Sequence, residues 1–205
     1  DEPAARSKMG LTPLAPGDLA TLVTSLEMRT RPKPAPLPDA PLTLVRWKQP
    51  SLAKYRALFL RVGGPWLWFS RLAMDDAQLE AILYHQDVMI WAVCDRAGIE
   101  VGILELDFRE AGACEISFFG LVPELNGKGY GRWLMAQAMA AAWRPGVTRV
   151  WLHSCSFDAP SALNFYIKSG FVPFARAVEQ FADPRLTGVL PETAAPHIPL
   201  LRPTS

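Results

Sequence analysis

Apolar residues recur with two different periods along the chain, and these periods predict strands and helices in a definite order. Alternating or short continuous apolar runs predict strands at residues 18–29, 42–47, 88–94, 99–108, 113–121 and 147–154, with one or two more at 171–181. Spacings of three and four predict helices near residues 51–62, after Asp75, at 129–143 and between Asp158 and Gly170. Residues 95–98 and 109–112 form compact turns, so the strands that they join should be antiparallel.

Proline-rich stretches divide the chain into three parts. Five prolines between Pro32 and Pro41 cannot pair inside a sheet, so they predict an extended connector. We therefore assign residues 1–41, with the strand at 18–29, to an N-terminal arm outside the main domain, and expect the polar residues 1–10 to be frayed. Residues 42–182 form the main domain. Residues 183–205 form a proline-punctuated tail, expected to lie along the domain surface or a partner subunit.

Composition narrows the classes of function. Hydrophobic residues make up 50% of the 205 positions, which predicts a packed globular protein. The formal net charge is +1, so charge gives no general case for binding nucleic acid or an anionic membrane. Three scattered cysteines indicate reduced thiols, and neither a long apolar run nor a signal peptide is recognisable. We therefore expect a soluble cytoplasmic protein.

Candidate chemistry concentrates in residues 114–134, CEISFFGLVPELNGKGYGRWL, which are predicted to form a strand, a loop and the start of a helix. Gly127, Gly129 and Gly131 occupy alternate loop positions, where glycine permits positive φ and close approach of a ligand. The helix that follows directs unpaired N–H groups into the loop, so the segment should bind phosphate. A dinucleotide-binding loop is excluded because Arg132 replaces its third glycine. A plain tight turn is the simpler alternative.

Two motifs together resemble the GNAT superfamily of N-acetyltransferases. The loop resembles the superfamily's pyrophosphate loop, Gln/Arg-x-x-Gly-x-Gly/Ala, with Gly129 and Gly131 at the glycine positions and Asn126 where Gln or Arg is usual. Residues 162–171, ALNFYIKSGF, resemble the second signature, Ala-[Ile/Leu]-x-[Leu/Phe]-Tyr-x-x-x-Gly-Phe. The motifs follow in the expected order, about one strand and one helix apart. Over roughly residues 42–182 the chain is identified as a member of this superfamily.

The resemblance implies an α/β (α+β) fold, with a mixed, mostly antiparallel sheet of six to seven strands that splays between the fourth and fifth, flanked by about four helices. It also implies acetyl-CoA as co-substrate, no metal, and transfer of the acetyl group to a primary amine by direct attack in a ternary complex. The residues it assigns to acetyl-CoA are Phe119, Gly120, Leu121, Asn126, Gly127, Lys128, Gly129, Tyr130, Gly131, Arg132, Ala162 and Tyr166. The amides of residues 126–131 would contact the pyrophosphate.

A catalytic base is needed because an amine with a pKa of about 10.4 is neutral in only about one molecule in a thousand near pH 7.4. Glu115 resembles the base glutamate of the superfamily's histone-acetylating branch; the structural alternative is an edge salt bridge. Glu105 and Asp107 share one face of the preceding strand and are the reserve candidates. Tyr166 occupies the superfamily's tyrosine position, from which it would donate a hydrogen bond to the leaving thiolate; otherwise it is a core tyrosine.

Candidates for the acceptor pocket come from the segment between the first two helices and from two of the strands. Trp66 and Trp68 lie between the first two helices, which the resemblance places at the acceptor pocket, although they are equally suited to the core. Glu105, Asp107 and His153 are further candidates for binding the acceptor. His153 and Cys155 share one strand face but lack the further ligands of a metal site, so we interpret both as core or pocket lining.

Two alternatives to this enzyme stay open. Asn126, and Ala159 where many relatives have Asn, are also compatible with a catalytically silent acyl-CoA-binding regulatory module. A histone-type enzyme follows only from the position of Glu115. The identity of the amine is not encoded in these motifs, because a fold does not determine a substrate. A homodimer formed through the terminal arms is the remaining partner hypothesis.

Overall fold

The computed structural model describes residues 10–33 and 35–203. Except for Gly10, the segment predicted to be frayed lies outside the described residues. The strands within the described residues are Asp18–Met28 (β1), Thr43–Trp47 (β2), Val88–Cys94 (β3), Glu100–Asp107 (β4), Ala113–Leu121 (β5), Arg149–Cys155 (β6) and Val172–Ala182 (β7). The α-helices there are Leu52–Gly63 (α1), Asp76–Leu83 (α2), Tyr130–Ala142 (α3) and Ala162–Lys168 (α4). None of these helices has the length and apolar character needed to span a bilayer.

All seven strands form a single sheet in the order β2-β3-β4-β5-β6-β1-β7. Neighbouring strands are antiparallel except β5 and β6, which are parallel. That parallel pair is short: it runs only from Ala113 opposite Arg149 to Glu115 opposite Trp151. Beyond these residues the two strands separate. The predicted mixed sheet, splayed at this point and flanked by helices, is confirmed.

Strand β1 is not part of an outlying arm, so that prediction was wrong. The strand lies inside the sheet, pairing with β6 from Val23 to Met28 and with β7 from Asp18 to Glu27. Its Leu26 is fully buried. The prolines that follow β1 exclude only the connector from the sheet, and they carry no information about where the strand before them is placed.

Local signals determine where the first two helices begin. The Ser51 hydroxyl accepts a hydrogen bond from the N–H of Lys54 and caps α1. A reciprocal capping box between Asp75 and Gln78 starts α2. Helix α4 begins only at Ala162, later than predicted from Asp158, because the Asp158 carboxylate is bonded elsewhere. Residues after 171 form one strand rather than two.

The C-terminal tail (residues 183–203) packs against the chain's own domain. Its Leu190, Ala195 and Ile198 form a small buried cluster with Leu67, which lies in the α1–α2 loop (residues 64–75). At the start of the tail, the buried Arg185 pairs with Asp183 at 2.7 Å and donates to the carbonyl oxygen of Ile198 at 2.8 Å. The tail therefore supports one wall of the cavity described below.

Candidate active site

A cavity of about 650 Å³ lies where β5 and β6 separate. It is lined on one side by β5 from Glu115 to Leu121 and on the other by Leu152, His153 and Cys155 of β6. Past Glu115 the described residues give β5 no partner on its β6 side. Backbone groups on that edge are therefore available to pair with an extended ligand.

A β-bulge at Ser117 sets the directions of the side chains that follow it. The bulge separates the pair Leu106–Ile116 from the pair Glu105–Phe118. Phe118 then faces α1 and the α1–α2 loop, where its ring lies 5.3 Å from that of Trp68. Phe119 faces the other side of the sheet and stacks on Phe165 of α4 at 5.8 Å. The cavity thus has lining residues on both faces of the sheet.

The glycine loop occupies the end of the cavity at the N-terminus of α3. Gly127 and Gly129 have φ of 74° and 80°, so their conformations favour glycine, whereas Gly131 has no positive φ. Among the described residues, the amides of residues 127–131 have no hydrogen-bond acceptor, but the N–H of Asn126 donates to Pro123 O at 3.0 Å. The predicted row of free amides therefore begins one residue later than expected.

The opposite end of the cavity contains Glu115, beside a second carboxylate on the neighbouring strand. Burial, together with the charge of Asp107, raises the pKa of Glu115 to about 7. Its Oε1 lies 3.7 Å from Nδ1 of His153, whose side chain is 49% exposed. A carboxylate with this pKa is half ionised near neutrality, which suits a general base.

The two other candidate bases, Asp107 and Glu105, both accept hydrogen bonds from arginine side chains. Burial raises the pKa of Asp107, but two-point hydrogen bonding from Arg109, at 2.8 and 2.6 Å, lowers it below the usual value overall. Glu105 is fully buried; it accepts from the hydroxyl of Tyr55 and from Nη2 of Arg71, both at 2.6 Å. Glu105 does not line the cavity. The sequence predicts that Glu105 contacts the acceptor, but its carboxylate is instead hydrogen-bonded within this buried network.

Tyr166 lies on the α4 side of the cavity, among aromatic rings. Its ring contacts Phe119 edge-on at 6.0 Å and Phe171 at 6.4 Å. The hydroxyl has no hydrogen-bond partner among the described residues, although Tyr166 lines the cavity. Burial, together with the charge of Asp158, raises the pKa of Tyr166 above its usual value, so the phenol stays protonated.

Aromatic side chains form much of the wall beyond Glu115. These are Trp66, Trp68 and Phe69 of the α1–α2 loop, Phe118 of β5, Phe157 after β6, and Phe181 of β7. Asp158 links two of these segments, because it accepts from Nε1 of Trp68 at 3.2 Å and from the N–H of Cys155 at 2.9 Å. Trp66 in turn packs against His197 of the tail at 5.8 Å.

Most of the predicted site residues meet in this one cavity. Its lining includes Glu115, Tyr166, Phe119, Gly120, Leu121, Asn126, Gly127, Gly129, Tyr130, Gly131, Arg132, Ala162, Trp66, Trp68, Asp107 and His153. Lys128 lies in the loop but outside the wall, as does Glu105. Within the described part of the chain, no group of three or more His, Cys, Asp or Glu side chains is arranged to hold a metal ion.

Several lining residues were not anticipated from the sequence. Arg71 and Phe69 follow the two predicted tryptophans, and Thr21, Glu179 and Phe181 come from β1 and β7. Among these residues, only Phe69 belongs to a recognisable sequence pattern, the aromatic run at residues 66–69. The residues of β1 and β7 reach the cavity through strand pairing between distant parts of the chain, in which Thr21 lies opposite Glu179.

Comparisons with known proteins agree on one family. The sequence model described as the acetyltransferase (GNAT) family matches residues 56–171. A GCN5-related N-acetyltransferase from Kribbella flavida superposes with a TM-score of 0.52 at 19% identity, covering 84% of this chain and 63% of that one. A GCN5-related N-acetyltransferase from Sphaerobacter thermophilus superposes with a TM-score of 0.52 at 20% identity, covering 82% and 52%.

A third similar structure covers a smaller part of the chain. It is an aminoglycoside acetyltransferase from an uncultured soil metagenomic sample, in complex with trehalose, with a TM-score of 0.51, 17% identity and coverage of 63% and 88%. No curated protein matches the sequence. The chain spans less than two thirds of the Kribbella and Sphaerobacter proteins. At these identities the structural likeness shows the fold alone.

Proposed function

The chain belongs to the acetyltransferase (GNAT) family, and from this premise we propose that it transfers an acetyl group from acetyl-CoA to a primary amine. One observation carries the proposal: a single cavity joins a loop of free amides at a helix N-terminus to a carboxylate with a pKa of about 7. The first feature suits a pyrophosphate and the second suits an ammonium group that must lose a proton.

The residues present fit acetyl-CoA. Free amides of residues 127–131 would hold the pyrophosphate, assisted by the charge of Arg132 in the cavity wall. The unpaired edge of β5 at residues 119–121 would hydrogen-bond the pantetheine arm as an added strand would. Gly120 leaves no room for a side chain, because an added Cβ would lie 2.8 Å from Cγ1 of Val62. Acetyl-CoA would supply the activated acyl group.

Glu115 would act on the amine at the opposite end of the cavity. Its carboxylate accepts a proton from the ammonium group, directly or through water, and leaves the nitrogen lone pair free to attack the thioester carbon. About half of the Glu115 carboxylate is ionised near neutrality, and a base with a pKa of about 7 has enough proton affinity to accept the proton. Asp107, whose pKa is lowered by Arg109, is a weaker base in the same place.

Tyr166 would act on the leaving group. Its free hydroxyl donates a hydrogen bond to the sulfur as the carbon–sulfur bond breaks and negative charge develops there. With its pKa raised, the phenol keeps its proton, so it stabilises the thiolate as a donor rather than transferring the proton completely.

The experiment that tests the proposed function measures release of the CoA thiol from acetyl-CoA in the presence of a panel of amines. The panel comprises amino acids, polyamines, an aminoglycoside, apolar amines and lysine-containing peptides. We expect amine-dependent thiol release and stoichiometric acetylation of the amine. Tight binding of CoA without turnover of any amine would instead identify a silent acyl-CoA-binding module.

Replacement of Gly129 by valine is expected to weaken CoA binding at least about tenfold, since the change forces a β-branched residue into positive φ at the anion site. Calorimetric titration with CoA measures the effect. Gly98→Val is the matched control, because Gly98 has the same φ of 80° in the β3–β4 turn and an added Cβ there meets nothing within 4 Å. Equal affinity in a folded Gly129→Val variant would contradict the loop assignment.

A further inference from the structure

The end of the cavity that contains Glu115 (the acceptor end) carries more negative charge than its arginines balance. Arg71 is paired with Glu105 and Arg109 with Asp107. Asp158 accepts hydrogen bonds from Ser154, Cys155 and Trp68. Glu115 lies 3.7 Å from His153 and has no arginine or lysine partner among the described residues. This end of the cavity thus has spare negative charge, and the two arginines that line it are neutralised.

The rest of this wall is apolar and only partly covered. Next to Glu115, Phe118 and Trp68 line the cavity with their rings 5.3 Å apart, and each keeps part of its surface exposed. Farther from Glu115, Phe69 and Phe157 pack around Phe181 at 4.8 and 6.4 Å. Partly exposed aromatic rings inside a concave site gain free energy when an apolar ligand covers them.

We infer that the acceptor is an apolar primary amine, carrying an aryl or bulky alkyl group next to its ammonium group and no carboxylate. This inference rests on the proposed acetyl transfer and specifies its substrate class. Phe118 and Trp68 cover the apolar group, and Glu115 attracts the ammonium group. The partners of Phe118 and Glu115 on β4 are two residues apart and on one face, so one small amine can contact both side chains. A substrate carboxylate would lie among acidic groups with no free cation to pair with, at a high desolvation cost.

Arg71 is the one group that points toward a different substrate. It is 9% exposed, and its Nε–H is buried without an acceptor among the described residues. Its charge is already offset by Glu105 at 2.6 Å, and its guanidinium lies 5.0 Å from the ring centroid of Phe118. Such a donor suits a neutral oxygen or an aromatic face of the substrate better than a second carboxylate.

A matched pair of amines tests the inference directly. 2-Phenylethylamine and phenylalanine differ only in the carboxylate, while 2-aminoethanol lacks the ring. With saturating acetyl-CoA, we expect kcat/KM for 2-phenylethylamine to exceed that for each of the other two amines at least about thirtyfold. The advantage over 2-aminoethanol comes from burial of the ring, and the advantage over phenylalanine comes from exclusion of the carboxylate. Comparable kcat/KM for phenylalanine would overturn the inference and assign Arg71 to a carboxylate.

The outcomes separate this inference from the function on which it rests. Turnover of polyamines, an aminoglycoside or amino acids without a preference for 2-phenylethylamine would overturn the substrate class and leave acetyl transfer standing. Absence of turnover with every amine would overturn both.

Discussion

Replacement of Glu115 by glutamine is expected to lower kcat/KM for an amine acceptor about 10²- to 10³-fold at about pH 7, the usual scale for a lost general base. Glutamine keeps the size of the side chain but cannot accept the ammonium proton. In the wild type, kcat/KM should rise with pH through about 7, where Glu115 ionises. The variant should lose this inflection, and its deficit should shrink at high pH because free amine becomes abundant.

Two further variants make this result specific. Asp107→Asn removes the neighbouring charge that raises the pKa of Glu115, so its kcat/KM profile should shift toward lower pH. Glu100→Gln is the control for a lost carboxylate on this sheet, since Glu100 pairs with Lys54 and does not line the cavity. A Glu115→Gln enzyme with wild-type kcat/KM at neutral pH would transfer the role of base to Asp107 or water.

Thermal unfolding provides an independent check on Glu115. Its pKa is raised from about 4.5 to about 7 in the folded protein, so the folded state binds more protons than the unfolded state between these values. Stability therefore falls as pH rises through this window. Glu115→Gln should be more stable than wild type above about pH 7, by up to about 3 kcal/mol, and the difference should vanish below about pH 4.5.

The glycine loop and the α4 tyrosine were predictable from sequence because each is a local pattern. Positive φ at Gly129 and the start of α3 at Tyr130 depend on neighbouring residues only. The hairpins of β3, β4 and β5 were predictable for the same reason, since each turn lies between the strands that it joins.

The placement of β1 was not predictable, because alternation identifies a strand but not its neighbours. The partners of β1 begin at residues 149 and 172, so the pairing depends on contacts more than a hundred residues apart. For the same reason the sequence did not predict that the cavity lining includes Thr21, Glu179 and Phe181. They and the tail lie outside the family match at 56–171, yet they line the cavity or support its wall.

Hydrogen-bond partners that the sequence does not reveal also determine which of the three predicted carboxylates is free to accept a proton. In the sequence, Glu105, Asp107 and Glu115 each stand between apolar residues of a predicted strand, so all three were candidate bases. Tyr55 and Arg71 engage Glu105, and Arg109 engages Asp107. Arg71 lies 34 residues from Glu105, and no local signal connects them. The packing of α1 and the α1–α2 loop onto β4 removes Glu105, and the neighbouring Arg109 pairs with Asp107, so Glu115 is left without an arginine partner.

Replacement of Tyr166 by phenylalanine is expected to lower kcat about 10²-fold or more, the usual scale for a lost acid or a donor to developing charge. The phenyl ring keeps its contacts with Phe119 and Phe171, and only the hydroxyl is removed. Because that hydroxyl has no partner among the described residues, its loss should leave CoA affinity and the melting temperature nearly unchanged. Stopped-flow single turnover, calorimetry and thermal unfolding measure the three quantities.

The leaving group provides the sharper test of Tyr166. A thiol like that of cysteine has a pKa of about 8.5, below the usual tyrosine value of about 10, so complete proton transfer from the phenol is unfavourable. The raised pKa of Tyr166 makes that transfer less favourable still and retains the hydroxyl as a donor across the working pH range. The Tyr166→Phe deficit should therefore be independent of pH from about 6 to 9, unlike that of Glu115→Gln. Tyr84→Phe is the control, since Tyr84 donates to Pro50 O away from the cavity. A Tyr166→Phe enzyme that loses stability but keeps its rate would make Tyr166 a packing residue.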